Sequence, residues 1–462
     1  MDESLAEWSE WWVAGDPGHR ATGEITFDET TGATLTLYGL LPGMARVQFR
    51  SPLLYGETFE GELLTLPSAA IIQRSTQVGG DIARMRTRLR SGLLLRGCHA
   101  DPDKLMVKRC VIRMTGLRDV CLRPWPRQDG TFMGQARRVE VAGGSLTFRQ
   151  GTERQLSQYA ESSELDVDVL IEADEPLLLA DFEDRWVSPL EALILFAART
   201  PVARKGFTLL LYDPDAADSV HPAIRHGTSP DLWNETPAEV LTETPSLSSE
   251  PPTQYGRLLV PFSALGDTAE EFIVRWWDLY AKLGPAATFL MSALGSQLYL
   301  ENRLLNLMSF IESYHRQLHD QPKVPPEVHE ANVEAMLEVI EDTSQRAHYK
   351  QKLRFAGEQN ARQRVKALVR RTQGALPGVA RLDAKLADQL VDTRNALTHL
   401  DPTGDPGLDG VDLVYATARL QLVIQTNLLL DLQLGEDKVA ELVLTSYADQ
   451  MPVRDFSKEN SE

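Results

Sequence analysis

The stretch VARLDAKLADQLVDTRNALTHLDP, Val379 to Pro402, decides the fold class of the second half of this chain. Val379, Leu382, Leu386, Leu390 and Leu397 recur at the spacing of one apolar stripe on a helix. Pro402 cannot continue that helix and pushes Asp401 toward extended geometry. Arg394 falls one turn beyond Leu390, in line with the stripe, where a surface arginine is out of place. His399 follows five positions later, about 140° further round an uninterrupted helix, so it meets Arg394 only where the last turn frays. A fixed guanidinium suits a phosphate, and an imidazole titrating near neutral pH suits proton transfer. The two together are chemically sufficient to cleave RNA without a metal ion. An ordinary structural reading stands beside this one, an arginine capping carbonyls at a helix C-terminus next to a solvated histidine.

Working outward, the same periodicity predicts helices over about 267–283, 285–319, 326–341, 344–373, 379–399 and 411–434. Leu304, Leu307, Met308, Phe310, Ile311 and Tyr314 form the buried stripe of the long second one. Short connections imply an antiparallel bundle. The apolar stretch from Val411 to Leu434 carries Arg419, Gln425, Asn427 and Asp431, which argues for a buried bundle helix and against a membrane span.

Before the helices the signals are those of strands. Gly23–Phe27, Thr34–Tyr38, Ala45–Arg50, Glu60–Leu66, Met106–Met114, Gly144–Arg149, Leu165–Ile171 and Phe207–Tyr212 are short, alternating or rich in β-branched residues. One helix interrupts them, with Ser188 as N-cap, Pro189 at its first position and Glu191 completing a capping box. Arg84, Arg86, Arg88 and Arg90 alternate with Ala83, Met85, Thr87 and Leu89, which on a strand places four arginines on one face. That face reads either as an anion or RNA contact or as a solvated surface paired with acids. Thr242–Tyr255 is polar, Pro-rich and aperiodic, a linker. The expected fold class is α+β, a β-rich region over 1–262 with room for two subdomains, then an all-α antiparallel bundle over 263–462.

With 66 Asp/Glu against 47 Lys/Arg the net charge is −19, unfavourable for nucleic acid in general. The charge is uneven, however. From Gln345 to Lys385 eleven Lys/Arg face two acids, a local balance of +9 that runs into the Arg394 helix. Arg362, Arg364, Lys366, Arg370 and Arg371 are the candidate phosphate contacts within it. Three cysteines, Cys98, Cys110 and Cys121, argue against a disulfide framework. With His99 they number four zinc-type ligands but lack knuckle spacing. No metal or other cofactor is expected, and the opening Met1-Asp2-Glu3 suggests a cytoplasmic chain without a signal peptide.

Arg394-Asn395-x-x-x-His399 at the end of a late helix resembles the HEPN superfamily signature, an arginine and a histidine with four to six residues between them and a polar residue after the arginine. Leu304 to Arg316, Tyr349 to Arg354 and Arg362 to Leu368 resemble the second and the basic middle helices of the ApeA-like HEPN group. Trp11-Trp12-Val13, Gly23 to Phe27 and Thr34 to Gly39 resemble the opening of the ApeA N-terminal domain. Gly97-Cys98-His99, and Leu117 before Trp125, are similar to its later landmarks.

The resemblance implies an abortive-infection defence against phage in which RNA cleavage, with transfer RNA as one target, is the toxic activity. It implies a homodimer through the helical domain, each chain supplying one motif to a shared cleft, and a phage-derived trigger acting on the N-terminal region. Arg394 and His399 would then be catalytic, Asn395 would orient phosphate or backbone, and Asp392 would pair with Arg394 or fix an imidazole tautomer. The 2′-hydroxyl as internal nucleophile predicts 2′,3′-cyclic phosphate and 5′-hydroxyl ends. Two rivals remain: a non-catalytic HEPN-type bundle binding RNA or protein, and a metal-dependent nuclease built on Glu338, Glu341 and Asp342.

Overall fold

The computed structural model describes the chain apart from residues 1–5, 29, 40, 43–49, 68, 80–81, 123–135, 157–160, 213–234, 243–257, 296–297, 320–323, 355, 378–383, 400–407 and 448–462, and apart from the side chains of 76–79, 82–84, 152–156, 161–165, 212, 235–236, 384 and 399. Residues 45–49 of the expected strand Ala45–Arg50, most of the Thr242–Tyr255 linker, the start of the Val379 helix, Trp125 and Pro402 therefore lie outside the described residues. The chain divides into two compact units, one of residues 1–254 with 260–274, the other of residues 255–259 with 275–462.

The first unit opens with β1 (Glu7–Val13), β2 (Ala21–Asp28), β3 (Gly32–Tyr38), β4 (Leu54–Thr58) and β5 (Leu63–Leu66). Two long strands, β6 (Ala70–Gly79) and β7 (Ile82–Ser91), precede β8 (Leu93–Arg96) and β9 (Met106–Met114). After helix α1 (Leu117–Leu122) come β10 (Arg137–Val141), β11 (Gly144–Leu156) and β12 (Glu161–Leu178), then helices α2 (Leu179–Phe182) and α3 (Ser188–Ala198). Strands β13 (Arg204–Tyr212) and β14 (Glu235–Thr242) and helix α4 (Phe262–Leu265) complete it. All the strands join one antiparallel 14-stranded sheet, ordered β10-β11-β12-β9-β13-β14-β8-β5-β4-β1-β2-β3-β7-β6.

Trp11 is the centre of one core. Its ring is fully buried and its indole N–H donates to Ser9 Oγ at 2.7 Å, which removes the cost of burying an unpaired donor. Gly56 is its cross-strand partner on β4, and a Cβ there would stand 2.8 Å from the ring. Glycine is thus a packing requirement at 56, beside Leu35, Leu37, Leu54 and Leu64, each fully buried and each contributing about 1.5–3 kcal/mol.

The helix near 190 starts earlier than the sequence predicts. Ser188 is already helical, at φ −60° and ψ −43°, because α2 runs through a π turn at Glu183–Val187 directly into α3. The expected Ser188 cap and its capping box are therefore absent. A wide turn just before Pro189 accommodates a residue that has no N–H to donate and whose ring crowds the carbonyl four residues back. Glu191 instead pairs with Arg204 at 2.5 Å.

Helix α5 (Ala269–Leu283) leads into the second unit, followed by α6 (Ala286–Gly295), α7 (Leu300–Leu318), α8 (Pro326–Glu338), α9 (Thr343–Leu353) and α10 (Ala361–Ala375). Helices α11 (Ala384–His399), α12 (Gly410–Asp431) and α13 (Glu436–Tyr447) end the described chain. Two helices expected as single rods are each two. The 285–319 prediction breaks after Gly295, a poor helix former. The 344–373 prediction breaks at residues 354–360, where Asn360 caps α10 in a reciprocal capping box with Gln363. In the core, α12 packs on α7, α10 and α13, while α10 also touches α7 and α11. Two thirds of the α12 window that is long and apolar enough to span a membrane is buried inside the protein.

Candidate functional site

The site is built on α11. Leu386, Ala387, Leu390, Val391 and Thr393 are each 6% exposed or less, so one side of this helix is committed to the bundle. Arg394 lies four residues beyond Leu390 on that side, at the margin of the apolar face, with its side chain 27% exposed. Its guanidinium donates to Asn395 Oδ1 at 2.9 Å and to Glu312 Oε1 on α7. A planar cation held on two sides in this way has a fixed orientation, which is what recognition of a tetrahedral anion requires. His399 is the last residue of α11, five positions on; its side chain lies outside the described residues.

Asp392 does not join this group. It is exposed and accepts a hydrogen bond from Arg362 on α10. The expected pairing of Asp392 with Arg394 is therefore replaced by Glu312, 82 positions earlier in sequence. Glu312 carried a legible signal, a carboxylate between the buried Ile311 and Tyr314 on the stripe of α7. Only the identity of the helix facing it was missing.

Four of the five candidate phosphate contacts are paired with carboxylates within the fold. Arg362 meets Asp392, and Lys366 Nζ lies 2.8 Å from Asp388, so α10 and α11 run antiparallel with their charges interlocked. Arg364 is 1% exposed and donates to the Gln359 carbonyl at 2.9 Å, with Glu358 at 3.4 Å. Arg371 reaches Asp431 at 2.6 Å. Arg370 is exposed and makes no ion pair among the described residues.

Asp431 is the hub of a second constellation that the spacing argument missed. Besides Arg371 it accepts from the buried Tyr314 hydroxyl and from His319 Nε2 at 3.0 Å. Asn427, fully buried, donates to the Leu368 and Val423 carbonyls and to Thr372 Oγ1. Burial alone would raise the Asp431 pKa, yet the hydrogen bonds from His319, Arg371 and Tyr314 hold it below the usual aspartate value. Burial, with Asp431 beside it, pushes Tyr314 well above an ordinary phenol. The network clamps the C-terminal ends of α7 and α12 to α10. Its signal in the sequence was the set of polar residues inside the apolar run of α12.

Elsewhere, Cys98, Cys110 and Cys121 are buried, and burial raises the Cys98 thiol pKa to about 11. His99 is bonded through Nε2 to the Gly56 carbonyl at 2.8 Å and stacks on Tyr55. Asp342 caps α9 by accepting from the Gln345 N–H at 2.7 Å. Among the described residues no three His, Cys, Asp or Glu side chains gather as a metal site.

Residues 305–438, from α7 through the start of α13, match the family model described as Apea-like HEPN. Residues 9–120, from β1 to α1, match the one described as ApeA N-terminal domain 1. No curated protein and no solved structure matches the chain. The β-rich region thus carries the ApeA N-terminal match and the helical region the HEPN match, which together are the architecture of ApeA-like HEPN proteins.

Proposed function

We propose that this protein is a metal-independent endoribonuclease, the toxic effector of an anti-phage abortive-infection system, acting in the cytoplasm. The ApeA-like HEPN architecture supports an anti-phage effector of ribonuclease type. The observation that carries the catalytic part is Arg394, half-buried beside the apolar face of α11 and braced by Asn395 and Glu312, five residues before His399.

In the proposed reaction the ribose 2′-oxygen attacks the adjacent phosphorus and its proton passes to an imidazole. Arg394 stabilises the charge that gathers on the phosphoryl oxygens. The P–O5′ bond breaks, and the leaving oxygen takes a proton from a second imidazole. One His399 per chain makes a homodimer through the helical domain the natural source of that second group. The products are a 2′,3′-cyclic phosphate and a 5′-hydroxyl. Of the basic residues, Arg362, Lys366, Arg370 and Arg371 are proposed RNA contacts, the paired ones by exchanging a carboxylate for a phosphate. Arg364 is left out because its guanidinium is buried. Transfer RNA is the first substrate to try, and a phage-derived trigger acting on the N-terminal region is the proposed regulator.

The test is incubation of purified protein, with and without phage lysate, with total cellular RNA in EDTA beside a His399→Ala variant, followed by end mapping. Cleavage that leaves cyclic phosphates, survives EDTA and is lost in the variant is expected. Cleavage that needs a divalent ion, or that persists in His399→Ala, overturns the mechanism.

A further inference from the structure

The arginine face of β7 does not belong to the α11 site, and the fold gives it neighbours that its sequence alone does not show. On β7, Thr87 and Leu89 are buried while Arg86 and Arg88 are exposed, so the alternation expected of a strand holds. The register sets Arg86 opposite Tyr38 and Arg88 opposite Thr36 on β3. Tyr38 in turn faces Thr22, and Thr36 faces Glu24, on β2, while Glu24 faces Trp8 on β1. One continuous face of four strands therefore carries Trp8, Tyr38, Arg86 and Arg88.

Trp8 and Tyr38 reach across β2 and stack, with ring centroids 5.5 Å apart and planes 21° from parallel. They remain 46% and 42% exposed. The Arg86 guanidinium lies 5.6 Å from the Tyr38 centroid. Two other rings of this sheet are covered instead: Arg20 lies 4.3 Å over Trp12, and His99 stacks on Tyr55. Several arginines of this acidic chain do find carboxylates, among them Arg20 with Glu10, Arg96 with Glu62 and Arg149 with Asp168. Arg86 and Arg88 have no ion pair among the described residues. Glu24, on the strand between the two rings, accepts from the Tyr38 hydroxyl at 3.5 Å.

We propose that this face of β1, β2, β3 and β7 binds single-stranded nucleic acid. An exposed stack offers a plane for a base, and two adjacent unpaired guanidiniums offer charge for the neighbouring phosphates. A flat antiparallel face admits an extended strand, and a duplex hides its base planes from such a platform. An acidic peptide would use the arginines and leave the aromatic plane idle.

The probe is a fluorescent oligodeoxythymidine of about 12 nucleotides, within the usual footprint of such platforms. Lacking a 2′-hydroxyl, it is inert to the proposed cleavage, so this test stands whatever the fate of the nuclease reading. Anisotropy titrations of the full chain across a salt series are expected to show binding, with an oligouridine competing about as well as the DNA. Trp8→Ala weakens it about ten-fold and Trp8→Phe restores most of the loss. Arg86→Gln with Arg88→Gln makes the log–log salt slope shallower by about 1.4, two phosphate contacts on a single strand. These two side chains are exposed, so that pair carries the test if Trp8→Ala fails to fold. The surface control Lys104→Gln with Lys205→Gln, off this face, leaves affinity unchanged. Equal affinity for duplex, an equal loss in the lysine control, or face variants that bind like the parent would overturn the assignment.

Discussion

The two units put their polar groups in opposite places. In the sheet unit the core around Trp11 is apolar, and Arg86 and Arg88 of β7 stand on an exposed face. In the helical unit the interior itself is polar: Tyr314, Asn427 and Arg364 are buried, and His319, Arg371 and Asp431 close a network among three helices. A core of the first kind is held by contact area and is indifferent to protonation. One of the second kind depends on charge states, and removing a single member leaves the rest buried and unpaired. The comparison makes the helical unit the pH-sensitive half and the sheet the packing-sensitive half.

The largest expected effect concerns chemistry. Arg394→Ala and His399→Ala should each lower RNA cleavage by at least about 10²-fold while thermal unfolding moves little, since transition-state charge stabilisation and general acid–base catalysis each supply that factor or more. A cleavage assay beside a melting curve checks both. Next, Asp431→Ala should cost about 3–5 kcal/mol, because Arg371, His319 and Tyr314 would lose their common acceptor. The helical signal should then melt first in a denaturant titration, and loss of the sheet signal instead would break the comparison.

The same residue sets a pH prediction. Its folded pKa lies below the unfolded value, so its stabilisation is complete above about pH 4 and is lost as pH falls through the lowered folded value. Acid titration followed by far-ultraviolet circular dichroism should therefore show helix lost before strand. On the sheet side, Gly56→Ala should cost about 1–3 kcal/mol through overpacking against Trp11 and should carry no pH dependence in the acid range. The smallest effect is Lys366→Gln, which removes a partly exposed pair with Asp388 and should change stability by about 0.5 kcal/mol or less in urea unfolding.

Much of this was legible in the chain. Periodicity placed α11, α12 and the buried stripe of α7, because a helix that commits one side to a core repeats that commitment every turn. It also put Arg394 in line with the buried stripe, at the margin of which its partly exposed side chain lies. The breaks at Gly295 and at Asn360 were harder, since the apolar period carries across them and only the local caps stop the helix. Partners from other elements were not legible at all. Nothing in α11 says that Glu312 rather than Asp392 will meet Arg394, and nothing in β7 says that Tyr38 and Trp8 will share its outer face. Those are facts of register and packing, set by residues far away in the chain.

The order of strands in the sheet has a consequence for biosynthesis. Strands β1 to β8, all within the first 96 residues, make one half, and β14 joins it to the rest by pairing Glu239–Thr242 with Leu93–Arg96. Until the ribosome has passed Thr242, β8 lacks this neighbour and presents open backbone donors and acceptors, the template on which nascent chains aggregate. A messenger that stalled between these points would release a half-sheet open at β8 as well as at its permanent edge β6. Chaperone binding to the growing chain is therefore expected to centre on Leu93–Arg96 and to end once the second half has been made.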